Sequence, residues 1–459
     1  ACFAEQARDR ARHSDVVVTN HAMLAIDAMS GIPLLPDHDV VVIDEGHELV
    51  ERATGAVTDE LTAAMVERAA RRARRYVRPE THEALLVAAE ALGEALTDLP
   101  AGRVTELRGL LFDALVGVRD VGHQAVTEFT ADKTEAAAGV DDAARKQARA
   151  AVEEVHEIAG RVVGATDADV VWVTHSDRFG AALRRAPLSV AGLLRERLFG
   201  AATAVLTSAT LELGGSFETV AGALGLLGDD APAWSGLDVG SPFDYPRQGI
   251  LYVARHLPPP GRDGLAEQVL DELAGLVEAA GGRTLGLFSS MRAAQQATEA
   301  LRERLPDHEI LCQGDDATAE LVREFAADPH TCLFGTLSLW QGVDVPGAAC
   351  QLVVIDRIPF PRPDDPLVRA RQEAAGAAGF MAVSAAAAAL LLAQGAGRLI
   401  RSREDRGVVA VLDSRLATAR YGGFLRRSLP PFWPTTDPEV VRRSLRSLAT
   451  PPAPPADPA

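Results

Sequence analysis

The sequence predicts an α/β protein with two parallel-sheet domains, the first interrupted by an all-helical insertion. Three observations predict it. Short, wholly apolar runs such as Val40-Val41-Val42-Ile43 have the composition of strands buried on both faces of a parallel sheet. From Gly249 onward such runs alternate with helical patterns, as in a doubly wound sheet. Between these regions, residues 58–159 are rich in Ala, Arg, Glu and Leu at helical spacing, with few turn signals apart from Pro79 and Pro100. A chain of 459 residues also exceeds the size at which single cores stop growing.

In chain order, a helix is expected near Phe3–Arg12, a strand at Asp15–Thr19 and a strand at Asp39–Ile43. After the insertion, strands at Asp169–Thr174 and Ala202–Thr207 are expected to complete the same sheet, so the first domain comprises 1–57 and 160–247. The second domain, 248–449, has strands at Gly249–Ala254, Thr284–Phe288, Glu309–Cys312, Thr331–Gly335, Gln351–Ile355 and Gly407–Leu412. The Pro-rich end, 450–459, reads as a disordered tail.

The formal charge of −18 argues against coating nucleic acid through bulk electrostatics, though it leaves room for a local basic channel. The only lysines, Lys133 and Lys146, lie outside any glycine-rich loop, and no G-x-x-x-x-G-K-[ST] phosphate loop occurs in the chain. Cys2, Cys312, Cys332 and Cys350 form no C-x-x-C pair, so neither a disulfide framework nor a zinc site is indicated, and a reducing cytoplasm fits. No apolar run is read as reaching the roughly 18 to 20 residues that span a bilayer, Ala385–Ala393 being the nearest, so no membrane association is expected. Metalloprotease chemistry is set aside because His47-Glu48 and His82-Glu83 are followed by Glu51 and Leu86 where a second histidine is needed. No G-x-S-x-G elbow is present.

The segment Val40 to His47 carries the most chemistry. An apolar strand ending in Asp44-Glu45-Gly46-His47 has the layout of a Walker B site, in which Asp44 holds Mg²⁺ through water and Glu45 polarises an attacking water. The alternative is a strand followed by an acidic turn. Thr207-Ser208-Ala209-Thr210 places small hydroxyls after another buried strand, where they can bond such carboxylates or simply close a turn. Gln394, Arg398 and Arg401, four and then three apart, are expected on one helical face, where two guanidinium groups can clamp a γ-phosphate. A solvated basic helix end is the competing reading. Gly335-Thr336-Leu337-Ser338-Leu339-Trp340-Gln341-Gly342-Val343-Asp344 offers amides and hydroxyls for a nucleic-acid backbone, with Asp344 able to face the nucleotide sugar or an arginine. Phe288-Ser289-Ser290 is a further hydroxyl turn. Arg71, Arg72, Arg74, Arg75 and Arg78 crowd the insertion, and a solvated helix face explains them better than phosphate contact.

Taken in order, Thr19-Asn20-His21, Asp44 to His47, Thr207 to Leu211, Ser241-Pro242-Phe243-Asp244-Tyr245, Gly335 to Gly347 and Gln394 to Arg401 resemble the DinG/XPD family of superfamily 2 DNA helicases. The resemblance covers almost the whole chain outside the insertion. It implies two RecA-like parallel-sheet motor domains with an arch-like insertion in the first, and ATP-driven 5′ to 3′ translocation on single-stranded or forked DNA by a monomer.

On this resemblance Asp44 and Glu45 serve Mg²⁺ and the attacking water, while His47, Ser208 and Thr210 couple hydrolysis to movement. Arg398 and Arg401, with Gln394 beside them, reach the nucleotide from the second motor domain. Thr336, Ser338 and Gln341 lie near the DNA track, and Gly342 and Asp344 near the nucleotide. The resemblance also implies a [4Fe-4S] cluster whose fourth ligand is Cys2. The family's phosphate loop and first three cluster cysteines are expected ahead of Ala1, which leaves this chain inactive alone. Gly46 stands where the family usually has alanine, a small change expected to be tolerated. The rival readings are a non-catalytic nucleic-acid-binding regulatory relative that keeps the fold, and an RNA-directed helicase.

Overall fold

The computed structural model describes residues 3–31, 33–131, 140–261, 264–336, 339, 347 and 349–450, which divide into two units. The first unit, 1–207 with 221–233 and 362–376, contains β1 (Val40–Ile43), β2 (Asp59–Leu61), β3 (Gly102–Arg103), β4 (Asp169–Ser176), β5 (Gly180–Pro187) and β6 (Thr203–Leu206). β1 and β6 pair in parallel, Val40 opposite Thr203 through Ile43 opposite Leu206. Val40, Val42 and Val205 on this pair are exposed.

The insertion is helical as expected, with helices Ala63–Ala73, Pro79–Thr97, Gly109–Ala131 and Val140–Val163. Leu85, Leu92, Leu115, Val152 and Val155 of these helices share one buried core. The insertion also carries β2 and β3, two short strands that helical spacing does not reveal. They flank the β4–β5 hairpin in an antiparallel sheet of order β2-β5-β4-β3. Asp169–Thr174 therefore does not complete the parallel sheet, contrary to the expectation from sequence. Its partner is the adjacent β5, and Val171, Val173 and Leu183 turn one face of the hairpin into the helical core. Asp15–Thr19 forms no strand either. Its three consecutive valines have no ladder partner among the described residues, and Val16, Val17 and Val18 are all exposed.

The other face of the hairpin is covered from far along the chain. Val170, Trp172 and Ala186 pack against Ala370, with Leu367 and Leu188 at the margin. Ala370 and Leu367 belong to the helix Pro366–Ala374. Its start is fixed by Pro366 in the first turn and by Asp365 Oδ1, which accepts from the Leu367 and Val368 amides at 3.0 and 2.9 Å. Arg371 Nε donates to Leu188 O at 2.8 Å, and Arg103 pairs with Glu373 at 2.7 Å.

The second unit, 208–220 with 234–361 and 377–459, contains β7 (Gly249–Val253), β8 (Thr284–Leu287), β9 (Ile310–Cys312), β10 (Cys332–Gly335), β11 (Leu352–Ile355), β12 (Gly407–Val411) and β13 (Trp433–Thr435). They form one parallel sheet of order β13-β7-β12-β11-β8-β10-β9. Both faces are buried, which is why the strands read as unbroken apolar runs. Val353 and Ile355 of β11 enter one core, and Leu352 and Val354 enter the other. Gly286 in β8 makes room for a tilted ring pair, Phe288 and Phe334, with centroids 5.3 Å apart; a Cβ there would lie 2.5 Å from Phe334.

The helical run Gly376–Ala396 is, by length and composition, long and apolar enough to cross a membrane, contrary to the sequence reading, which stops at Ala385–Ala393. The small residues from Gly376 onward extend the run without interrupting it. Ala388, Ala389, Leu392, Ala393 and Ala396 of this run lie in the core of the second unit.

Candidate active site

β1 ends at Ile43, and the chain delivers Asp44 and Glu45 to the C-terminal edge of the β1–β6 pair. The pairing continues past the strands: Thr207 N donates to Ile43 O and Gly46 N donates to Thr207 O, each at 2.9 Å. Asp44 Oδ1 accepts the Thr207 hydroxyl at 2.8 Å and the Glu45 amide at 3.0 Å. His21 Nε2 lies 2.7 Å from the Asp44 carbonyl, so that nitrogen carries the proton. Asn20 caps the helix that begins at His21, accepting from Met23 N at 2.8 Å. The Thr19-Asn20-His21 motif and the acidic motif thus share one edge.

Glu45 has φ +49, in the left-handed region that costs a residue with a Cβ roughly 1 kcal/mol. This bend sends Gly46–Glu48 into a short 3₁₀ turn. Glu45 Oε2 sits 3.3 Å from His47 Nδ1, with the carboxylate largely exposed and the imidazole almost wholly covered. Burial holds the His47 pKa below its ordinary value, against the opposing pull of Glu45 and Glu48. Gly46 also has a packing reason: a Cβ would lie 3.0 Å from Leu206 Cβ.

In the second unit, Ser208 Oγ lies 3.1 Å from Thr210 Oγ1 and accepts from the Thr210 amide at 3.2 Å. Gln394 lies on the helix Ala386–Ala396, but Arg398 and Arg401 do not continue it. Gly397 N closes the last turn on Ala393 O at 2.9 Å, and Arg398 N then bonds Gly395 O at 3.2 Å, a tighter i+3 turn. The single helical face expected from the spacing is therefore corrected to a helix end plus a turn. Gly397 keeps right-handed backbone angles, φ −64 and ψ −9, so the helix ends by tightening into that turn and not by a left-handed glycine. Asp405 caps the segment beyond the helix, its Oδ2 accepting from Arg401 N and Ser402 N, both at 2.7 Å.

Thr336 sits at the end of β10, where its amide and hydroxyl both donate to Gln313 Oε1 at 2.8 and 3.0 Å. Ser289 N and Oγ donate to the buried Asp356, each at 2.9 Å, and Ser290 caps the helix Met291–Arg304. Ser338, Gln341, Gly342, Asp344 and Cys2 lie outside the described residues. Arg72, Arg74 and Arg75 are exposed and Arg71 pairs with Glu67 one turn back, as solvated charges would, whereas Arg78 precedes the helix Pro79–Thr97 and bonds Glu128 of the helix Gly109–Ala131.

Residues 273–432 match the helicase C-terminal domain family. Over 98% of its length the chain is 54% identical to the ATP-dependent helicase DinG of Mycobacterium tuberculosis, covering 68% of that protein. It is 32% identical to the ATP-dependent DNA helicase YoaA of Escherichia coli, covering 98% of this chain and 72% of that one. The chain belongs to the DinG/XPD-like family of superfamily 2 helicases. Solved structures agree on the fold: an XPD helicase superposes with a TM-score of 0.56 at 16% identity, covering 93% of this chain and 74% of that chain. The Xpd4 structure from S. tokodaii gives 0.53 at 14%, covering 86% and 76%.

Within this DinG/XPD-like chain, the hydroxyl run after β6 does bond the acidic motif, through Thr207. In sequence nothing sets Thr207 apart from its neighbours Ser208 and Thr210, and one functional candidate escapes the sequence reading altogether. Asp405 carries no signal, because it lies just past the arginine motif in a run of charged residues. Asp44 suits Mg²⁺, which takes one or two carboxylates together with nucleotide phosphates and water. An iron-sulphur cluster finds no home among the described residues: Cys312, Cys332 and Cys350 are buried in the core of the second unit, and no cluster of three or more metal-binding side chains occurs.

Proposed function

We propose that this chain works in an ATP-dependent DNA helicase of the DinG type, translocating 5′ to 3′ on single-stranded DNA and opening forked duplexes in repair or replication. The observation that carries the reading is the Asp44–Glu45 pair at the C-terminal edge of β1, with Asp44 held by Thr207 and Glu45 exposed at a sharp bend. Asp44 holds Mg²⁺ on the nucleotide, and Glu45, projecting into solvent, orients the attacking water. His47, Ser208 and Thr210 relay the state of the phosphate. Arg398 and Arg401 stabilise charge on the transferring phosphoryl group, with Gln394 alongside. Gly342 and Asp344 serve the nucleotide, and Thr336, Ser338 and Gln341 the DNA backbone.

The protein acts as a cytoplasmic monomer, and Cys2 contributes one ligand to a [4Fe-4S] cluster. The 459-residue polypeptide, with no G-x-x-x-x-G-K-[ST] sequence, turns over ATP poorly by itself, because such a loop provides most of the binding to the β- and γ-phosphates.

The test uses the full-length protein. DNA-stimulated ATPase activity is expected, with Glu45→Gln lowering kcat by about a hundredfold or more. Unwinding is expected on duplexes with 5′ tails and not on those with 3′ tails. Wild-type turnover in Glu45→Gln would remove the base from the reading, unwinding from 3′ tails would reverse the polarity, and preference for matched RNA duplexes would move the substrate class. ATPase activity of the 459-residue chain equal to that of the full-length protein would refute its inactivity.

A further inference from the structure

Two segments that the sequence singles out separately meet on one buried carboxylate, and a third is tied to the same turn through Gln248. Asp405 is 6% exposed. Its Oδ2 accepts from the amides of Arg401 and Ser402, both at 2.7 Å. Its Oδ1 accepts from Ser402 Oγ at 2.7 Å and from Gly347 N at 3.2 Å. Gly347 ends the segment that begins at Gly335 and contains Asp344.

A second buried side chain braces the same turn from the other side. Gln248 is 4% exposed and faces the carbonyls of Ser402, Arg403 and Asp405 through Nε2, at 3.0, 3.2 and 3.1 Å. Its Oε1 accepts from Asp244 N at 2.8 Å, which ties in the Ser241 to Tyr245 segment. All of these residues belong to the second unit.

Closing a helix end requires one or two bonds to the last carbonyls. Here a charge taking four donors, and an amide spanning three carbonyls, are committed to a turn of five residues. Charge-assisted bonds of this kind are about twice as strong as neutral ones, and a buried carboxylate deprived of partners is costly, so the turn has little freedom to shift. The backbone from which Arg401 extends is set by the same carboxylate that holds Gly347.

We propose that Asp405, braced by Gln248, is a positioning residue for phosphoryl transfer: it fixes where Arg401 presents its guanidinium and ties that position to the Gly347 and Asp244 segments. The proposal rests on the reading of Arg401 as a phosphate-facing cation. Its consequence is that displacement of either neighbouring segment moves Arg401, so the arginine is presented correctly only when both are in place.

The substitution Asp405→Asn separates these functions. The asparagine carbonyl can still accept from Arg401 N and Ser402 N. Its amide then faces Gly347 N, donor against donor, while Ser402 Oγ can turn to accept. The cap is kept and the link to Gly347 is lost.

In the full-length protein with single-stranded DNA as activator, Asp405→Asn is expected to lower kcat for ATP about tenfold, with KM for ATP within about twofold. Arg401→Ala is expected to lower kcat about a hundredfold. The double variant should fall no more than about twofold below Arg401→Ala, because both changes act through one guanidinium. Thermal unfolding of Asp405→Asn distinguishes positioning from collapse, and Gln248→Met carries the same test should Asp405→Asn fail to fold. Wild-type kcat in Asp405→Asn, a loss that tracks the unfolded fraction, or effects that multiply in the double variant would overturn the proposal. Wild-type kcat in Arg401→Ala would instead overturn the reading of Arg401 on which it rests.

Discussion

Thr207 donates its hydroxyl to Asp44 Oδ1 at 2.8 Å across paired strands, from 163 positions away in the sequence. The bond leaves Asp44 Oδ2 as the oxygen available to a hydrated cation and fixes the plane of the carboxylate. A group that orients a metal-facing carboxylate typically changes metal affinity or activity by 10- to 100-fold when removed.

Thr207→Val, similar in shape but without the hydroxyl, should therefore shift the Mg²⁺ dependence of DNA-stimulated ATPase in the full-length protein to about tenfold higher concentration. Thr207→Ser, which retains the donor, should stay within about twofold of the wild type. A Mg²⁺ titration of the three proteins checks this.

His47 gives a pH dependence of stability. Burial lowers its folded-state pKa, so between that value and the unfolded value near 6.5 the unfolded chain binds more protons. Stability from this residue is intact above about pH 6.5 and is lost as pH falls toward the folded pKa. His47→Asn lacks the titrating group. The difference in melting temperature between wild type and His47→Asn, taken at pH 7.5 and again at pH 5.5, should move in favour of the variant at the lower pH.

Gly286 tests packing in the second unit. A Cβ there would stand 2.5 Å from the Phe334 ring and 2.8 Å from Phe288. Gly286→Ala should destabilise by about 1 to 3 kcal/mol, the range for overpacked cores. Phe334→Leu in the Gly286→Ala background should recover part of the loss, read as the midpoint of denaturant unfolding.

Trp172 tests the hairpin covered by Pro366–Ala374. Trp172→Ala removes the largest side chain of that small core and should cost about 3 to 5 kcal/mol. Arg371→Met, which deletes the bond to Leu188 O while keeping an apolar stem, should cost about 1 to 3 kcal/mol by leaving that carbonyl short of a partner. Thermal unfolding of the two variants should rank them in that order.

The sheet of the second unit is legible in the sequence because both its faces are buried, so β7, β8, β10, β11 and β12 each announce themselves as apolar runs. β13, Trp433–Thr435, is not legible, for it contains a proline and is largely exposed at the sheet edge. β5 escapes notice because Gly180–Pro187 holds no β-branched residue, and without it the apolar β4 looks like a parallel strand. Among the candidate residues, residue type and spacing single out Asp44 and Glu45 in the first unit and the two arginines in the second. Spacing alone cannot reveal that the helix stops at Ala396, nor that Asp405 and Gln248 fix the turn beyond it, since the bonds from Asp405 to Gly347 and from Gln248 to the turn join positions far apart in the chain.

The helix Pro366–Ala374 also imposes a timetable on biosynthesis. When β5 has been made, the residues that will cover Val170, Trp172 and Ala186 are still unsynthesised, and at ordinary translation rates they emerge on the order of ten to thirty seconds later. Through that interval the nascent chain exposes an aromatic and aliphatic sheet face with its ladder already formed. Premature termination before residue 362 leaves the face open for good, so truncated products of this gene should be the ones that engage chaperones and aggregate.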